Sequence, residues 1–185
     1  MKKTVTAMKG IQFPHVRQIG IVVGDMKYAI THYSNILGLN PWFRSRFIEQ
    51  GIDYHGKRIR LDLEVLLAFS GGVEIELIEV KSGDENIYTS ILNDRGGGIH
   101  HVGYFVKDFT RSLEALQSSG IQPLQQGTLK TAGGAVTRFA YLDTLHQCGI
   151  ITEIIETKLG PFRVPHAQFM MHIAALSGDM EKIMA

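Results

Sequence analysis

The sequence predicts an α+β fold in which two tandem βαβββ modules form one cupped mixed sheet, followed by a C-terminal helix. Two observations support this prediction. A short segment near the start of the chain is repeated in its second half, and each copy is followed by one helix and three strands in the same order. At 185 residues, the chain can hold either one ordinary domain or two small units that share an interface.

The repeat consists of a strand that ends at a helix cap. Residues 18–25 read QIGIVVGD and residues 101–108 read HVGYFVKD, so both copies place Gly third, Val sixth and Asp eighth. The β-branched and aromatic residues predict a strand, and an Asp at its end suits the N-cap of a helix. Apolar residues at helical spacing follow each Asp and stop at Gly38 and before Gly120.

The remaining elements follow from the same patterns. Strands are predicted at 42–49, 58–69 and 73–80 and again at 121–129, 135–142 and 150–156, with helices at 86–93 and 166–184. The last helix could cover the sheet or pair with a second subunit. The predicted boundaries are an N-terminal extension (1–15), a first module (16–84), a connecting helix and loop (85–98), a second module (99–157) and a C-terminal helical extension (158–185).

Composition excludes several classes of protein. With 44% hydrophobic and 20% charged residues, the chain is globular rather than disordered. A net charge of +1 without a Lys/Arg block predicts no nucleic-acid partner. No apolar stretch approaches the roughly 20 residues that span a bilayer, and no apolar signal-peptide core follows the basic start, so no membrane partner is expected. The single cysteine, Cys148, fits a reducing compartment, and we expect a cytoplasmic protein.

The repeat extends to a second pair of polar residues. Glu76 lies four residues after Gly72, and Glu153 lies four residues after Gly149. Each half therefore has one ligand-type residue at the start of its first strand and one carboxylate in its last strand. If each half curls so that these two strands lie side by side, all four side chains meet at a pseudo-two-fold axis. The predicted ligands of one divalent metal (Zn, Ni, Co, Mn or Mg) are Gln18, Glu76, His101 and Glu153.

Each of these residues also has an ordinary structural interpretation. Glu74 and Glu76 could belong to the solvated face of an edge strand, and a lone histidine on a strand is more often structural than a ligand. His100 is expected to point to the face opposite His101, because side chains alternate along a strand. Glu153, however, stands within a run of isoleucines, where an unpaired carboxylate would be costly to bury.

These motifs resemble the vicinal-oxygen-chelate superfamily, which includes glyoxalase I, methylmalonyl-CoA epimerase, extradiol dioxygenases and fosfomycin or bleomycin resistance proteins. The resemblance covers roughly Val16 to Thr157. It is most specific at residues 98–106, 72–77 and 148–155. The resemblance implies metal ligands at the same four positions. Gln18 departs from the commoner His, although a Gln-Glu-His-Glu set is similar to that of eukaryotic glyoxalase I, and the linker at 91–101 looks more like that of methylmalonyl-CoA epimerase.

The resemblance also implies an activity on a small-molecule substrate. We expect a metal-dependent isomerase or epimerase that moves a proton next to a carbonyl through an enediolate, with Glu153 and Glu76 as catalytic carboxylates. The alternatives are a glyoxalase I-like lyase and a non-catalytic small-molecule (antibiotic) binding protein. An extradiol dioxygenase is disfavoured because Gln18 replaces one of the two histidines that its iron needs. We also expect a homodimer.

The substrate is predicted only by comparison between branches of that family. The glyoxalase I pattern places an Arg three residues before the Asp that closes the first strand, where it helps to hold a glutathione carboxylate. Val22 occupies that position here. We therefore expect an acyl-CoA or another 2-substituted carbonyl acid to be preferred to the glutathione hemithioacetal.

Overall fold

A computed structural model of the chain describes residues 13–185, apart from the side chains of residues 49 and 50. Most of the predicted N-terminal extension, residues 1–12, lies outside the described residues.

The first half contains β1 (Gln18–Val23), α1 (Met26–Leu37), β2 (Trp42–Tyr54), β3 (Lys57–Ser70) and β4 (Val73–Gly83), and α2 (Thr89–Arg95) joins it to the second half. The second half contains β5 (Gly97–Phe105), α3 (Phe109–Ser118), β6 (Pro123–Lys130), β7 (Ala135–Leu142), α4 (Leu145–Cys148) and β8 (Ile151–Leu159). The predicted βαβββ order is therefore confirmed in both halves, with the four-residue helix α4 inserted between β7 and β8 of the second half.

Both predicted helix caps are present. The carboxylate of Asp25 accepts a hydrogen bond from the backbone N–H of Tyr28 at 2.8 Å, and Asp108 accepts one from Arg111 at 3.1 Å. Each cap satisfies one of the N–H groups that a helix start leaves without an intrahelical partner. In the described part of the chain, no helix is both long and apolar enough to cross a membrane.

One mixed sheet of ten strands contains both halves of the described chain. The first and last strands of each half lie side by side, since β1 pairs in parallel with β4 and β5 pairs in parallel with β8. β1 also pairs antiparallel with β5, and this pairing joins the two halves. Eight strands follow the order β2-β3-β4-β1-β5-β8-β7-β6, and two short C-terminal strands, β9 (Phe162–Arg163) and β10 (Glu181–Ile183), pair with β8 and β2 respectively. The predicted cupped mixed sheet is confirmed.

The end of β2 closes this cup and differs from the prediction. The predicted strand ends at residue 49, shortly before Gly51, whereas β2 continues to Tyr54 with a register shift between Gln50 and Ile52. A bulge of this kind admits an extra residue without ending the strand. The added length pairs Asp53 and Tyr54 with β6, which gives the sheet a barrel-like shape.

Alternate residues along the strands face opposite sides of this curved sheet. On the outer face, Leu66 and Leu77 pack under α1, while Ala140 and Ile154 pack under α3. On the inner face, Val65 and Leu67, which flank Leu66 in sequence, belong to a separate apolar cluster with residues of β2, β4 and β7. The sheet therefore has a helix-covered outside and a largely apolar inside.

The C-terminal extension crosses the open side of the cup. It contains β9 (Phe162–Arg163), α5 (Gln168–Leu176) and β10 (Glu181–Ile183). The predicted helix is thus present but shorter than residues 166–184, because Gly178 adopts a left-handed φ of 84° and the chain then forms a strand against β2. Met171 is buried against the inner cluster, whereas Leu176 is exposed.

Candidate metal centre

The pairing of strands brings the four predicted ligands to one place on the inner face. In the parallel pairs, Glu76 lies beside Gly20 and Glu153 lies beside Gly103. In the antiparallel pair, Gln18 faces Gly103 and His101 faces Gly20. Each half thus contributes one residue from its first strand and one from its last, in matching positions about the β1–β5 pair.

The glycine at the third position of each repeat leaves room for the ligand side chain that the other half contributes. A Cβ atom on Gly20 would overlap the imidazole of His101, and a Cβ atom on Gly103 would overlap Oε1 of Gln18. These are two of the close approaches for which only glycine is suitable. The repeated Gly is therefore explained by the site rather than by a turn.

Three of the four side chains form a tight, buried cluster. Nε2 of His101 lies 3.0 Å from Oε2 of Glu153 and 3.4 Å from Oε2 of Glu76. One potential ligand atom from each of these residues lies within 4.8 Å of the other two. His101 is fully buried, and Gln18 and Glu153 are nearly so. The structure thus brings three of the predicted ligands together, and Gln18 adjoins them at Gly103.

Unpaired polar atoms show that this cluster fits a cation. Seven buried side-chain N or O atoms lack a hydrogen-bond partner among the described residues, and each predicted ligand contributes one of them. These four atoms are Gln18 Oε1, Glu76 Oε2, His101 Nε2 and Glu153 Oε2. The His101 contacts are thus within ion-pair distance but lack hydrogen-bond geometry. Buried polar atoms are normally paired, and a divalent ion would satisfy all four atoms at once with an oxygen-rich donor set.

The orientation of Gln18 is set by a residue outside the predicted ligand set. Nε2 of Gln18 donates to Oε1 of Glu74 at 2.8 Å, and the other oxygen of Glu74 accepts from Nδ1 of His166 at 3.1 Å. Oε1 of Glu74 accepts from the NH₂ group, which leaves the amide oxygen of Gln18 directed away from this carboxylate. Glu74 thereby presents Oε1 of Gln18 as the free atom.

His101 is oriented by His100, and the expectation that these two side chains point to opposite faces was wrong. β5 pairs His101 with Gly20 and Ile99 with Ile21, which leaves His100 as the extra residue of a bulge. A bulge interrupts the alternation of side chains. Nδ1 of His100 consequently lies 3.1 Å from Nδ1 of His101.

The tautomers follow from the backbone contact of His100. Its Nε2 lies 3.3 Å from the carbonyl oxygen of Ile87, which can only accept, so this nitrogen carries the proton. Nδ1 of His100 then accepts from Nδ1–H of His101. Burial, assisted by the charge of His101, lowers the pKa of His100 to about 3, which keeps the His100 ring neutral. Neutral His101 therefore has its lone pair on Nε2, between the two carboxylates, as a metal-ligating histidine needs.

A cavity of about 180 Å³ opens beside these residues. Tyr88 and Tyr141 line it, and their hydroxyl oxygens are 2.9 Å apart. Burial, as the chief cause, raises the pKa of both tyrosines well above the usual value, so both remain neutral hydroxyl groups. Residues of the C-terminal extension, including His166 and Met171, complete the wall.

Sequence reasoning did not identify Glu74, His100 or His166 as part of this site. Glu74 did carry a signal, because it lies two residues from Glu76 and so shares its face. The edge-strand alternative does not hold, since β4 lies between β3 and β1 and Glu74 is 1% exposed. The bulge at His100 and the return of His166 across the cup depend on long-range pairing, for which the local sequence carries no signal.

Comparison with known proteins agrees with this geometry. Residues 17–141 match the model of the glyoxalase/bleomycin resistance protein/dioxygenase superfamily, and the chain belongs to this family. A protein of Bacillus subtilis (strain 168), the uncharacterized protein YqjC, is 26% identical over 140 residues, which cover 76% of this chain and 90% of that protein.

Two solved structures show the same fold. The hypothetical protein BH1468 from Bacillus halodurans C-125 is 24% identical with a TM-score of 0.56, over 78% of this chain and 95% of its own. A methylmalonyl-CoA epimerase from Mycobacterium tuberculosis is 21% identical with a TM-score of 0.55, over 81% of this chain and 94% of its own. At these identities the likeness establishes the fold, and the resemblance to this superfamily is confirmed.

The glycine clearance leads to a first prediction. Gly20→Ala should displace the His101 ring and lower the affinity for Mn²⁺ about 10- to 100-fold, the range typical of misoriented ligands. The measurement is isothermal titration calorimetry of the metal-free protein with MnCl₂. Gly72→Ala is the matched control, because a Cβ there would meet nothing within 4 Å. Equal affinities for the two variants would contradict this geometry.

A second prediction concerns pH. Burial alone would lower the pKa of His101, but Glu153 and Glu76 together outweigh it and raise the pKa to about 9 when no ion is bound. An ion that binds neutral imidazole must displace this proton below pH 9, so the apparent affinity should rise about tenfold per pH unit between pH 6 and 8. Competition titrations with Mn²⁺ at several pH values measure this slope.

The control for the pH experiment is His101→Gln, whose amide has no proton to displace. Its affinity should be lower overall and should rise less steeply with pH. If the unaltered protein bound Mn²⁺ with the same affinity throughout this pH range, the imidazole of His101 would not be a ligand.

Proposed function

We propose that the protein is a metal-dependent isomerase or epimerase that moves a proton on the carbon next to a carbonyl, the type of reaction after which methylmalonyl-CoA epimerases are named. The observation that carries this proposal is the pair of carboxylates, Glu76 and Glu153, on either side of His101. Both have a buried oxygen without a hydrogen-bond partner among the described residues, and both line the cavity.

The four predicted ligands have separate tasks in this proposal. Gln18 and His101, each held by an outer partner, would bind the ion. A divalent ion bound there would act as a Lewis acid toward two substrate oxygens and stabilise the negative charge of an enediolate. The carboxylates of Glu76 and Glu153 would complete the set and remain close enough to the substrate carbon to exchange a proton with it.

Proton transfer is assigned to the two carboxylates because they come from equivalent positions in the two halves. Their placement about the β1–β5 pair allows one to remove a proton and the other to return one from the opposite side, which epimerisation requires. Burial, as the largest cause, raises the pKa of Glu76 above that of an exposed glutamate. This direction holds for the site without an ion, and a divalent ion bound to Glu76 would favour its ionised form.

The cavity wall supports this chemistry. Inner-face apolar side chains line the cavity beside the carboxylates, and such a low-dielectric surrounding strengthens electrostatic interactions in the site. Tyr88 and Tyr141 share one hydrogen bond, so one of their two neutral hydroxyl groups keeps a proton that it can donate to a substrate oxygen without adding charge.

A glyoxalase I-like lyase is the second candidate, because it uses the same proton transfer. Val22 supplies no cation for a glutathione carboxylate, which favours the first candidate. A comparison of methylmalonyl-CoA epimerisation with glutathione-dependent methylglyoxal conversion separates the two. A non-catalytic binding protein is disfavoured by the four unpaired ligand atoms. The expected homodimer and cytoplasmic location remain predictions.

A third prediction tests the proton transfer. Glu153→Gln should retain about one metal ion per chain, because an amide oxygen can still coordinate, but should lower α-proton exchange about 10²- to 10⁴-fold. Exchange into D₂O is followed by NMR with a panel of acyl-CoA thioesters, hemithioacetals and α-hydroxyketones, and metal content is measured by elemental analysis.

The matched control is Glu156→Gln, a buried carboxylate of the same strand that does not line this cavity. Its exchange rate should stay near that of the unaltered protein. Full exchange in the Glu153→Gln, Glu76→Gln double variant would exclude the two-carboxylate mechanism.

A further inference from the structure

We propose that the substrate of this site is a compact molecule whose body, beyond the two oxygens that the metal would hold, is uncharged and largely apolar. This inference rests on the proposed function and specifies its substrate class. It departs from the acyl-CoA and carbonyl acids expected from the sequence. It follows from three features of the cavity: the composition of its wall, the sign of the charges along that wall, and the C-terminal extension that covers it.

The wall is built from the apolar inner-face residues of the sheet. Consecutive alternate positions of β3 supply Leu63, Val65 and Leu67, and facing strands supply Phe47, Ile78, Phe139 and Ile155. Phe139 is buried, as are the three residues from β3. A substrate body in contact with these side chains gains free energy from burial of its own apolar surface.

The charged side chains that line the cavity are acidic, apart from the titratable imidazole of His166. They are Glu74, Glu76, Glu153 and Asp179. No Lys or Arg lines the cavity among the described residues. Glu74 is already hydrogen-bonded to Gln18 and His166, and Asp179 to the backbone N–H of Gly133, so these carboxylates add no cation that could pair with an anionic substrate group.

The cations of the surrounding strands are turned to the outer face by the alternation of side chains. Arg44 and Arg46 flank the cavity residue Ser45, yet they pair with Glu64 at 2.8 Å and with Asp62 at 2.7 Å. Arg138 lies next to Phe139 in sequence but stacks over the ring of Phe109 on α3. The strands around the cavity therefore contain arginines, but the side chains of these arginines have partners on the outer face.

An anionic group in the body of the substrate would consequently lose its water without gaining a partner. Burial of an unpaired charge is strongly unfavourable, whereas an uncharged body pays no such cost. The conclusion concerns the part of the substrate away from the metal, since oxygens bound to the ion are compensated by it.

The C-terminal extension covers the cavity and limits the size of the substrate body. Met171, Ala174 and Met180 of the C-terminal extension line the cavity from the side opposite the sheet. The extension is held to both halves, because Asp179 accepts a hydrogen bond from the backbone N–H of Gly133 and β10 pairs with β2. An apolar cavity of roughly 150 Å³ accepts a benzene molecule. The cavity of about 180 Å³ thus suits a body of about one aromatic ring.

The test uses hydroxamates, whose two adjacent oxygens chelate divalent ions. Phenylacetohydroxamate, acetohydroxamate and the monohydroxamate of succinic acid are titrated calorimetrically into the Mn²⁺-loaded protein. The phenyl compound should bind about 10- to 100-fold more tightly than acetohydroxamate, and the acid-bearing compound should bind more weakly than acetohydroxamate. A phenyl compound that binds no better than acetohydroxamate, or an acid-bearing compound that binds as tightly as the phenyl compound, would overturn the proposal.

A variant pair checks the charge argument. Ala174→Lys places a cation in the cavity wall and should improve binding of the acid-bearing hydroxamate at least about tenfold. Leu176→Lys adds the same charge to an exposed position of the same helix and should leave the ranking unchanged. Equal effects of the two variants would contradict the assigned wall.

The two proposals fail in different ways. Because binding is measured without turnover, the expected ranking without α-proton exchange on any substrate of the panel would contradict the proposed reaction alone. Preference for the acid-bearing hydroxamate together with rapid exchange of methylmalonyl-CoA would contradict the substrate class alone.

Discussion

The antiparallel pairing of β1 with β5 is the contact on which the site depends. It places Gln18 opposite Gly103 and His101 opposite Gly20, so each ligand occupies space that the other half leaves free. The parallel partners of these strands then bring one carboxylate each to the same point. A shift of one of these strands by one residue would turn the ligand on that strand to the helix-covered outer face and separate it from the others.

Around this contact, outer residues determine which atoms remain free. Glu74 holds the nitrogen of the Gln18 amide, and His100 accepts from Nδ1 of His101, so an oxygen and a nitrogen lone pair are left for an ion. Partners of this kind fix the tautomer and the orientation of metal ligands. His166 links these outer partners to the C-terminal extension, because it donates to Glu74 and stacks on Phe105 with ring centres 4.0 Å apart.

The sequence predicts the parts of this structure that are encoded locally or repeated. Strand and helix order, both Asp caps and the four candidate ligands follow from the periodicity and from the two copies of the repeat. Features that depend on pairing between distant strands were missed. The bulge that turns His100 toward His101, the continuation of β2 past Gly51 and the strand that follows α5 are stabilised by neighbours far away in sequence. Glu74 was discounted because only the sheet order shows that β4 is an internal strand.

A crystal structure of the Co²⁺-loaded protein, with anomalous scattering recorded at the cobalt edge, tests the central claim most directly. One strong anomalous peak per chain is predicted, bound by Oε1 of Gln18, Nε2 of His101 and oxygens of Glu76 and Glu153 at about 2.0–2.2 Å. A peak elsewhere in the molecule, or a cobalt ion in the cluster with the Gln18 amide turned away from it, would contradict the account.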